Sequence, residues 1–248
     1  MSLTPEQFQR AADAEESQLR MLRLQSMQDR EVRVLLGSDP MTAAPWVRCA
    51  AEFGLPAAQV RLGRMLLEGQ GVPQDAALAL RWFVRAAEQR DADAMNMVGR
   101  CHEMGWGTVV DLESAAHWYR RSAVAGHDWG QYNFGNMLFD GRGVTMDQCE
   151  ALLWYERSAK QGHPRAMNLL GRCYEEGWGC AKDAELAFDW YRRSAQAGYF
   201  RAQFNYAACL SERGLVAEAR TWSERALAGG FDPASYSRRD SSRSDQPA

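Results

Sequence analysis

The chain of 248 residues is long enough to bury a sizeable core and to form one or two domains. Its 29 basic and 32 acidic residues give a formal net charge of −3, which offers no support for a nucleic-acid-binding protein. The N-terminus lacks a basic region followed by an apolar stretch, and no apolar run approaches the roughly 18 residues of a membrane span. The sequence therefore predicts a cytoplasmic protein that does not associate with membranes.

The N-terminal residues 1–56 are predicted to be helical and to end in a partial capping repeat. Thr4 and Pro5 suit a helix N-cap and first helical position, and the helix is expected to run to about Ser26, with a second stretch to Leu36.

From there onward the chain repeats itself with a period of 36 residues. The period is visible in several columns of identical residues that stay in phase. These columns are Gly63, Gly99, Gly135 and Gly171; Gly69, Gly105, Gly141 and Gly177; Trp46, Trp82, Trp118, Trp154 and Trp190; and Asp75, Asp111, Asp147 and Asp183. So many columns in one phase indicate a repeat architecture.

Each repeat is predicted to contain two helices. Apolar residues with helical spacing define the first helix, and a Gly-x-Gly loop ends it, since glycine enters the left-handed conformation without strain. The aspartate column then supplies an N-cap for the second helix. A glycine inside the first helix costs about 1 kcal/mol relative to alanine, so a close helix crossing is expected there. The tryptophan column is the predicted partner of that glycine.

The unit Ala-x4-Gly-x5-Gly-x-Gly-Val-x2-Asp-x6-Trp-Tyr/Phe-x3-Ala resembles the Sel1-like repeat, which is related to the tetratricopeptide repeat. Gly71-Val72 and Gly143-Val144 match its loop, and Gly126-His127 and Gly162-His163 match its inter-repeat turn. The resemblance implies an all-α fold, an α/α solenoid in the form of a right-handed superhelix, with five repeats over residues 57–232. It also implies a non-catalytic adaptor or scaffold that binds proteins or peptides.

The chain departs from the repeat at its C-terminal end. Trp222 follows Trp190 by only 32 residues, so the last loop is shorter. Residues 233–248 are rich in Ser, Arg and Asp without apolar periodicity, and they are predicted to be a disordered tail.

Cysteine and histidine positions give no sign of a catalytic or metal site. Cys101, Cys173 and Cys209 share a column with methionines, which is typical of a core position. Cys173 and Cys180 have the spacing of disulfides in cysteine-rich relatives, but the pair does not recur in each repeat, so we expect reduced thiols. No histidine pair has metal-ligand spacing and no nucleophile motif is present, so neither an enzyme, a cofactor nor a metal is expected.

The second and fourth repeats resemble each other more than their neighbours. Between Met95–Ala123 and Met167–Ala195, 18 of 29 positions are identical. The shared residues at i, i+4 and i+7 of the first helix form one stripe, predicted to lie away from the glycine-lined core. The stripe comprises Asn96, Arg100 and Glu103 in the second repeat and Asn168, Arg172 and Glu175 in the fourth.

By similarity to tetratricopeptide arrays, this stripe is expected to line a concave groove that holds an extended peptide and favours an acidic or carboxylate-terminated one. Arginine and asparagine suit carboxylates and peptide groups. The intervening repeat adds Trp129, Tyr132, Asn136, Phe139 and Asp140 to the predicted partner-binding surface. Two explanations without a binding role stay open, namely ordinary surface ion pairs and a recent duplication of two repeats.

A different use of the array also stays open at this stage. The protein could act as an accessory or inhibitor that masks a partner enzyme's surface with its loops. The loop residues Trp106 and Trp178 would then contact the partner, although we favour the interpretation that they cover the neighbouring core. The sequence does not indicate an oligomeric state.

Overall fold

The computed structural model describes residue 4, residues 15–23, residue 26 and residues 39–230. Residues 15–23 are helical. From Pro40 to Ala228 eleven further helices, each of 13 residues, follow one another. They are α1 Pro40–Glu52, α2 Pro56–Glu68, α3 Ala76–Glu88, α4 Ala92–Met104, α5 Leu112–Val124, α6 Asp128–Asp140, α7 Gln148–Lys160, α8 Pro164–Glu176, α9 Ala184–Gln196, α10 Phe200–Glu212 and α11 Val216–Ala228. The described part of the chain contains no strand.

The helices start and stop where the sequence predicted. The side chains of Asp75, Asp147 and Asp183 accept hydrogen bonds from backbone N–H groups in the first turns of α3, α7 and α9. The first helices α2, α4, α6 and α8 each end at a glycine with a left-handed backbone, as Gly69 does with φ 69°. Local hydrogen bonding and backbone conformation therefore define where these helices begin or end. The last pair, α10 and α11, has no side-chain cap at either helix start.

The glycine inside each first helix permits a close crossing, but its partner differs from the prediction. A Cβ atom on Gly135 would lie 2.6 Å from the Tyr155 ring, and one on Gly63 would lie 2.5 Å from Phe83. The residue after the tryptophan, rather than the tryptophan itself, faces the glycine, so the expectation for the Trp column is wrong. Adjacent helix positions point about 100° apart, and the fully buried Phe83 occupies the crossing.

The second glycine of the Gly-x-Gly loop meets the preceding repeat. A Cβ atom on Gly107 would lie 2.2 Å from the carbonyl oxygen of Ala76, the first residue of α3. Gly179 stands in the same relation to Gln148 at the start of α7, at 2.3 Å. The loop backbone can approach the helix end this closely only because a side chain is absent.

The chain divides into two compact units, one up to Trp118 and the other from Tyr119 onward. Within each unit, a first helix packs against its second helix, which packs against the first helix of the next repeat. In the first unit the core joins alanines of α1 to α4 with larger side chains such as Leu62, Phe83 and Val98. No helix in the described part is both long and apolar enough to cross a membrane.

The predictions for the two ends fall mostly outside the described residues. The helix predicted from Thr4 to about Ser26 is described at residues 15–23, where the chain is helical, and the stretch to Leu36 lies outside the described part. The predicted disordered tail, residues 233–248, also lies outside it. The helices α10 and α11 continue the helix-pair pattern over the segment predicted to be the fifth repeat.

Candidate functional site

The structure places the duplicated stripe deeper than expected. Asn96, Glu103 and Asn168 are buried, and Arg172 is only 4% exposed, while Arg100 and Glu175 are half-buried. A groove-lining role requires exposed arginine side chains, and Arg172 does not meet this requirement. The residues of the stripe contact neighbouring elements of the chain. Packing within the chain therefore explains part of the sequence identity between the two repeats at these positions.

Several of these polar side chains bond to other repeat elements. The Nδ2 of Asn205 in α10 donates to the Oδ1 of Asn168 at 2.9 Å, which links neighbouring first helices. The hydroxyl of Tyr191 donates to Glu175 at 2.7 Å. The Tyr155 hydroxyl donates to the Oδ1 of Asn136 at 2.9 Å. Because one polar group of each residue is used within the chain, these positions stabilise the packing of helices as well as lining the predicted surface.

The two loop tryptophans pair with the two arginines of the stripe. The guanidinium of Arg100 stacks over Trp106 and that of Arg172 over Trp178, each at 4.9 Å from the ring. Trp106 also packs against the core of the first unit, which confirms the interpretation that it covers the core. Trp178 meets Phe139 of α6 edge to face at 5.2 Å.

A second aromatic and arginine cluster lies at the other end of α6 and α8. The guanidinium of Arg165 lies 5.1 Å from the ring of Trp129. Trp129 meets the His163 ring edge to face at 4.5 Å, and Tyr132 lies 4.9 Å from the same ring. With the cluster around Trp178, it forms a surface that we call the α6–α8 face. The partly exposed residues of the α6–α8 face are Trp129 and Phe139 of α6, Arg165 of α8 and Trp178 of the following loop. Tyr132, His163 and Arg172 are buried and pack directly against these residues.

His163 anchors this end of the α6–α8 face. Its Nδ1 accepts a hydrogen bond from the backbone N–H of Ala166 at 3.2 Å and so caps α8. The side chain is 2% exposed, and burial lowers the pKa of His163 to about 4. The Nε2 atom then carries the proton, and it has no hydrogen-bond partner among the residues that the structure describes.

The corresponding positions in the first unit have different chemistry. Ala57 and Asp93 occupy the repeat positions of Trp129 and Arg165. There the guanidinium of Arg64 holds both carboxylate oxygens of Asp93 at 2.8 Å. The same place in the helix pair thus has an internally paired charge in α2 and α4, and an arginine stacked on tryptophan in α6 and α8.

Two of the cysteines are held in an unreactive state by burial. Burial raises the pKa of the Cys101 and Cys173 thiols to about 12, which disfavours the nucleophilic thiolate. The six cysteines all lie in the described part and form no disulfide there. Within residues 39–230 and the short described N-terminal segments, no group of three His, Cys, Asp or Glu residues is arranged to hold a metal ion.

Sequence reasoning missed Arg165 and His163 as members of this face. The available signal was the repeat position itself, which reads Ala57, Asp93, Trp129, Arg165 and Arg201 through the five repeats. A cation in the first turn opposes the helix dipole, so Arg165 in α8 is an anomaly that sequence alone can reveal. The role of His163 depends on burial by Trp129 and could not be read from its turn position.

The geometry defines the class of protein first: an all-α solenoid built of stacked helix pairs. The family model of the Sel1 repeat matches residues 56–91, 92–127, 130–163 and 164–199, which is more than half of the chain. The chain therefore belongs to the Sel1 repeat family.

Solved structures agree with that assignment. A Sel1 repeat protein from Oxalobacter formigenes is 31% identical, with a TM-score of 0.69 over 75% of this chain and 76% of that one. A protective antigen of uropathogenic Escherichia coli with an SLR fold is 29% identical, with a TM-score of 0.71, over 91% of this chain and 48% of that one. An immunity protein from Pseudomonas aeruginosa, 18% identical with a TM-score of 0.52 over 71% of this chain and 66% of that one, shares the fold. No curated protein matched the chain.

Proposed function

We propose that the protein is a non-catalytic adaptor that binds a partner protein or an extended peptide, and that the α6–α8 face is its contact surface. The observation that carries this proposal is the presence of two arginine–tryptophan stacks at opposite ends of one helix pair, Arg165 on Trp129 and Arg172 on Trp178. Tryptophan, tyrosine and arginine are the residues most enriched among binding hot spots. Membership of a repeat family whose members mediate protein interactions supports the same class of function.

The size of the face suits a peptide or a helix of the partner. Trp129 and Phe139 are ten positions apart on α6, which corresponds to about 15 Å at 1.5 Å per residue. An extended segment of about five residues covers that distance. The two clusters can therefore hold a short linear segment at two points.

The masking of a partner enzyme by the loops is less well supported. Of the two loop tryptophans on which masking would depend, Trp106 packs against the core of the first unit and contacts Arg100, which gives it a role inside the chain. Trp178 belongs to the α6–α8 face. The expected cytoplasmic localisation stays a prediction.

The test compares partner capture by the wild type and by the double variant Trp129→Ala and Phe139→Ala. The matched control is Leu67→Ala, because Leu67 has the repeat position of Phe139 in the first unit. Quantitative mass spectrometry of proteins retained from the source cells should show at least a tenfold loss of specific partners for the double variant and retention by the control. Retention by a folded double variant would contradict the proposal, and loss with Trp106→Ala instead would favour the loops.

A further inference from the structure

One repeat position lies at the N-terminal end of each first helix. In three successive repeats it holds an aromatic residue and then two cations, namely Trp129, Arg165 and Arg201. Trp129 is the second residue of α6, and Arg165 and Arg201 are the second residues of α8 and α10. The N-terminus of a helix carries partial positive charge, so an arginine there adds to a positive potential rather than offsetting one. This arrangement disfavours folding slightly and favours an anion.

The hydrogen-bonding groups of this cluster are donors. Arg165 makes no ion pair or hydrogen bond with any described residue, and its guanidinium lies over the Trp129 ring. The Trp129 indole N–H likewise has no acceptor in the described chain. Behind the ring, the buried Nε2–H of His163 is a further donor without an acceptor there. The nearby carboxylate of Asp128 accepts from the Trp129 backbone N–H at 2.8 Å and lies 4.0 Å from the Nε2 of His127. Its charge acts on His163 by raising the pKa, against the larger effect of burial.

The first unit shows how the chain behaves when such a charge is satisfied internally. At the position of Arg165 it carries Asp93, which suits a helix N-terminus and which Arg64 holds with two hydrogen bonds at 2.8 Å. In α8 the charge at this position is reversed, and Asn136 replaces the residue corresponding to Arg64. The missing counter-charge is one that a partner can supply.

We propose that Trp129 and Arg165, backed by His163, form a carboxylate-binding site for an acidic segment of the partner, with Arg201 as the next cation in the row. This inference rests on the proposed function, since it assigns the chemistry of the same face. A carboxylate accepts two hydrogen bonds from the guanidinium edge while the guanidinium plane stays on the indole. Two arginines one repeat apart favour a segment with more than one acidic side chain over a single chain terminus.

The probe is a phage-displayed library of random dodecapeptides, selected on the full-length protein. Selection on the wild type should enrich peptides with Asp or Glu. Arg165→Glu should abolish their binding and shift selection towards Lys and Arg. The matched control is Arg85→Glu, because Arg85 is an exposed arginine that also stacks on a tryptophan, Trp82, and the change in net charge is the same. The control should keep the acidic preference.

A selected peptide is then synthesised in three forms, and its affinity is measured by calorimetry. Replacing its Asp and Glu residues by Asn and Gln should weaken binding at least tenfold, whereas amidating its C-terminus should leave the affinity within twofold. A loss confined to the amidated form would overturn the acidic segment in favour of a terminal carboxylate.

The selection also separates failure of this inference from failure of the proposed function. Peptides without acidic residues that still lose binding with Trp129→Ala would overturn the carboxylate site and leave the face intact. No enrichment, or peptides whose binding is indifferent to Trp129→Ala, would overturn both. Arg165→Gln, which keeps a polar side chain and removes the charge, should reproduce the loss if the charge is responsible. A thermal melt matching that of the wild type shows that each variant is folded.

Discussion

Two pairs of first helices can be compared, namely α2 and α4 in one unit and α6 and α8 in the other. They have the same repeat architecture and differ in a few side chains. Both pairs are crossed at an internal glycine, and both include an arginine stacked on a loop tryptophan. They part at the start of α4 and α8, where Asp93 is held by Arg64 and Arg165 lies on Trp129. The residues that define the repeat are the same in both pairs. The residues that differ therefore give the α6–α8 face a surface chemistry that α2 and α4 lack.

The largest effect is expected at the shared crossing, and it should be alike in the two units. Gly63→Leu and Gly135→Leu each force a side chain into the space of a buried ring, Phe83 or Tyr155. Urea denaturation should show each variant destabilised by about 3 kcal/mol or more. If one variant kept the free energy of unfolding of the wild type, the two crossings would not be equivalent.

The loop glycines should rank next, and they separate two physical causes. Gly179→Ala places a Cβ 2.3 Å from the Gln148 carbonyl and also requires a left-handed alanine, with φ 71°. Gly162→Ala has a left-handed backbone too, with φ 94°, but nothing lies within 4 Å of its Cβ. We expect a loss of about 1 kcal/mol for Gly162→Ala and at least twice that for Gly179→Ala in the same assay. Equal losses of unfolding free energy in the two variants would mean that the loop at Gly179 does not pack closely against the start of α7.

The α6–α8 face should respond to acid through His163. Burial lowers its folded-state pKa to about 4, below the ordinary value of 6.5, so between these values the unfolded chain binds a proton that the folded chain does not. This contribution to stability is complete above pH 6.5 and is lost as the pH falls to 4, by about 2–3 kcal/mol. His163→Asn keeps a residue that caps helices well and should reduce the loss over that pH range.

The matched control for the acid response is His127→Asn. His127 caps α6 through its Nδ1 as His163 caps α8, but its side chain is 21% exposed. Denaturation at several pH values should therefore show a smaller change for His127→Asn than for His163→Asn. An unchanged acid response in His163→Asn would show that this histidine is not the source of it.

The smallest of these effects concerns the stacks that the two regions share. Arg172→Ala should destabilise the protein by about 1–2 kcal/mol, because Arg172 is buried and its guanidinium covers Trp178. Arg100→Ala should have a smaller effect, because Arg100 is more exposed while its stacking distance of 4.9 Å is the same. The difference in melting temperature between the two variants measures how much burial of the arginine adds to the stability of the protein. A larger loss for Arg100→Ala than for Arg172→Ala would contradict this explanation.

The period of 36 residues was enough to predict the helix pairs, their caps and their glycine ends, because these depend on local backbone chemistry. It did not predict that Phe83 and Tyr155, rather than the tryptophans, fill the crossings, since a difference of one helix position depends on the packing angle. Nor could helix periodicity show that Arg172 is buried. That burial depends on the residues that the fold brings against the side chain, such as Trp178 of the following loop, whose ring lies against the Arg172 guanidinium.

The most direct test of the central claim places one photo-reactive residue at the same repeat position in both regions. Benzoylphenylalanine replaces Phe139 of the α6–α8 face in one variant, which keeps an aromatic ring there, and Leu67 at the same repeat position in the other. Each variant is irradiated in the source cells. We expect a covalent adduct with a partner protein from position 139 and none, or far less, from position 67. An adduct from position 67 alone, or equal yields from both, would contradict the assignment of the α6–α8 face as the contact surface.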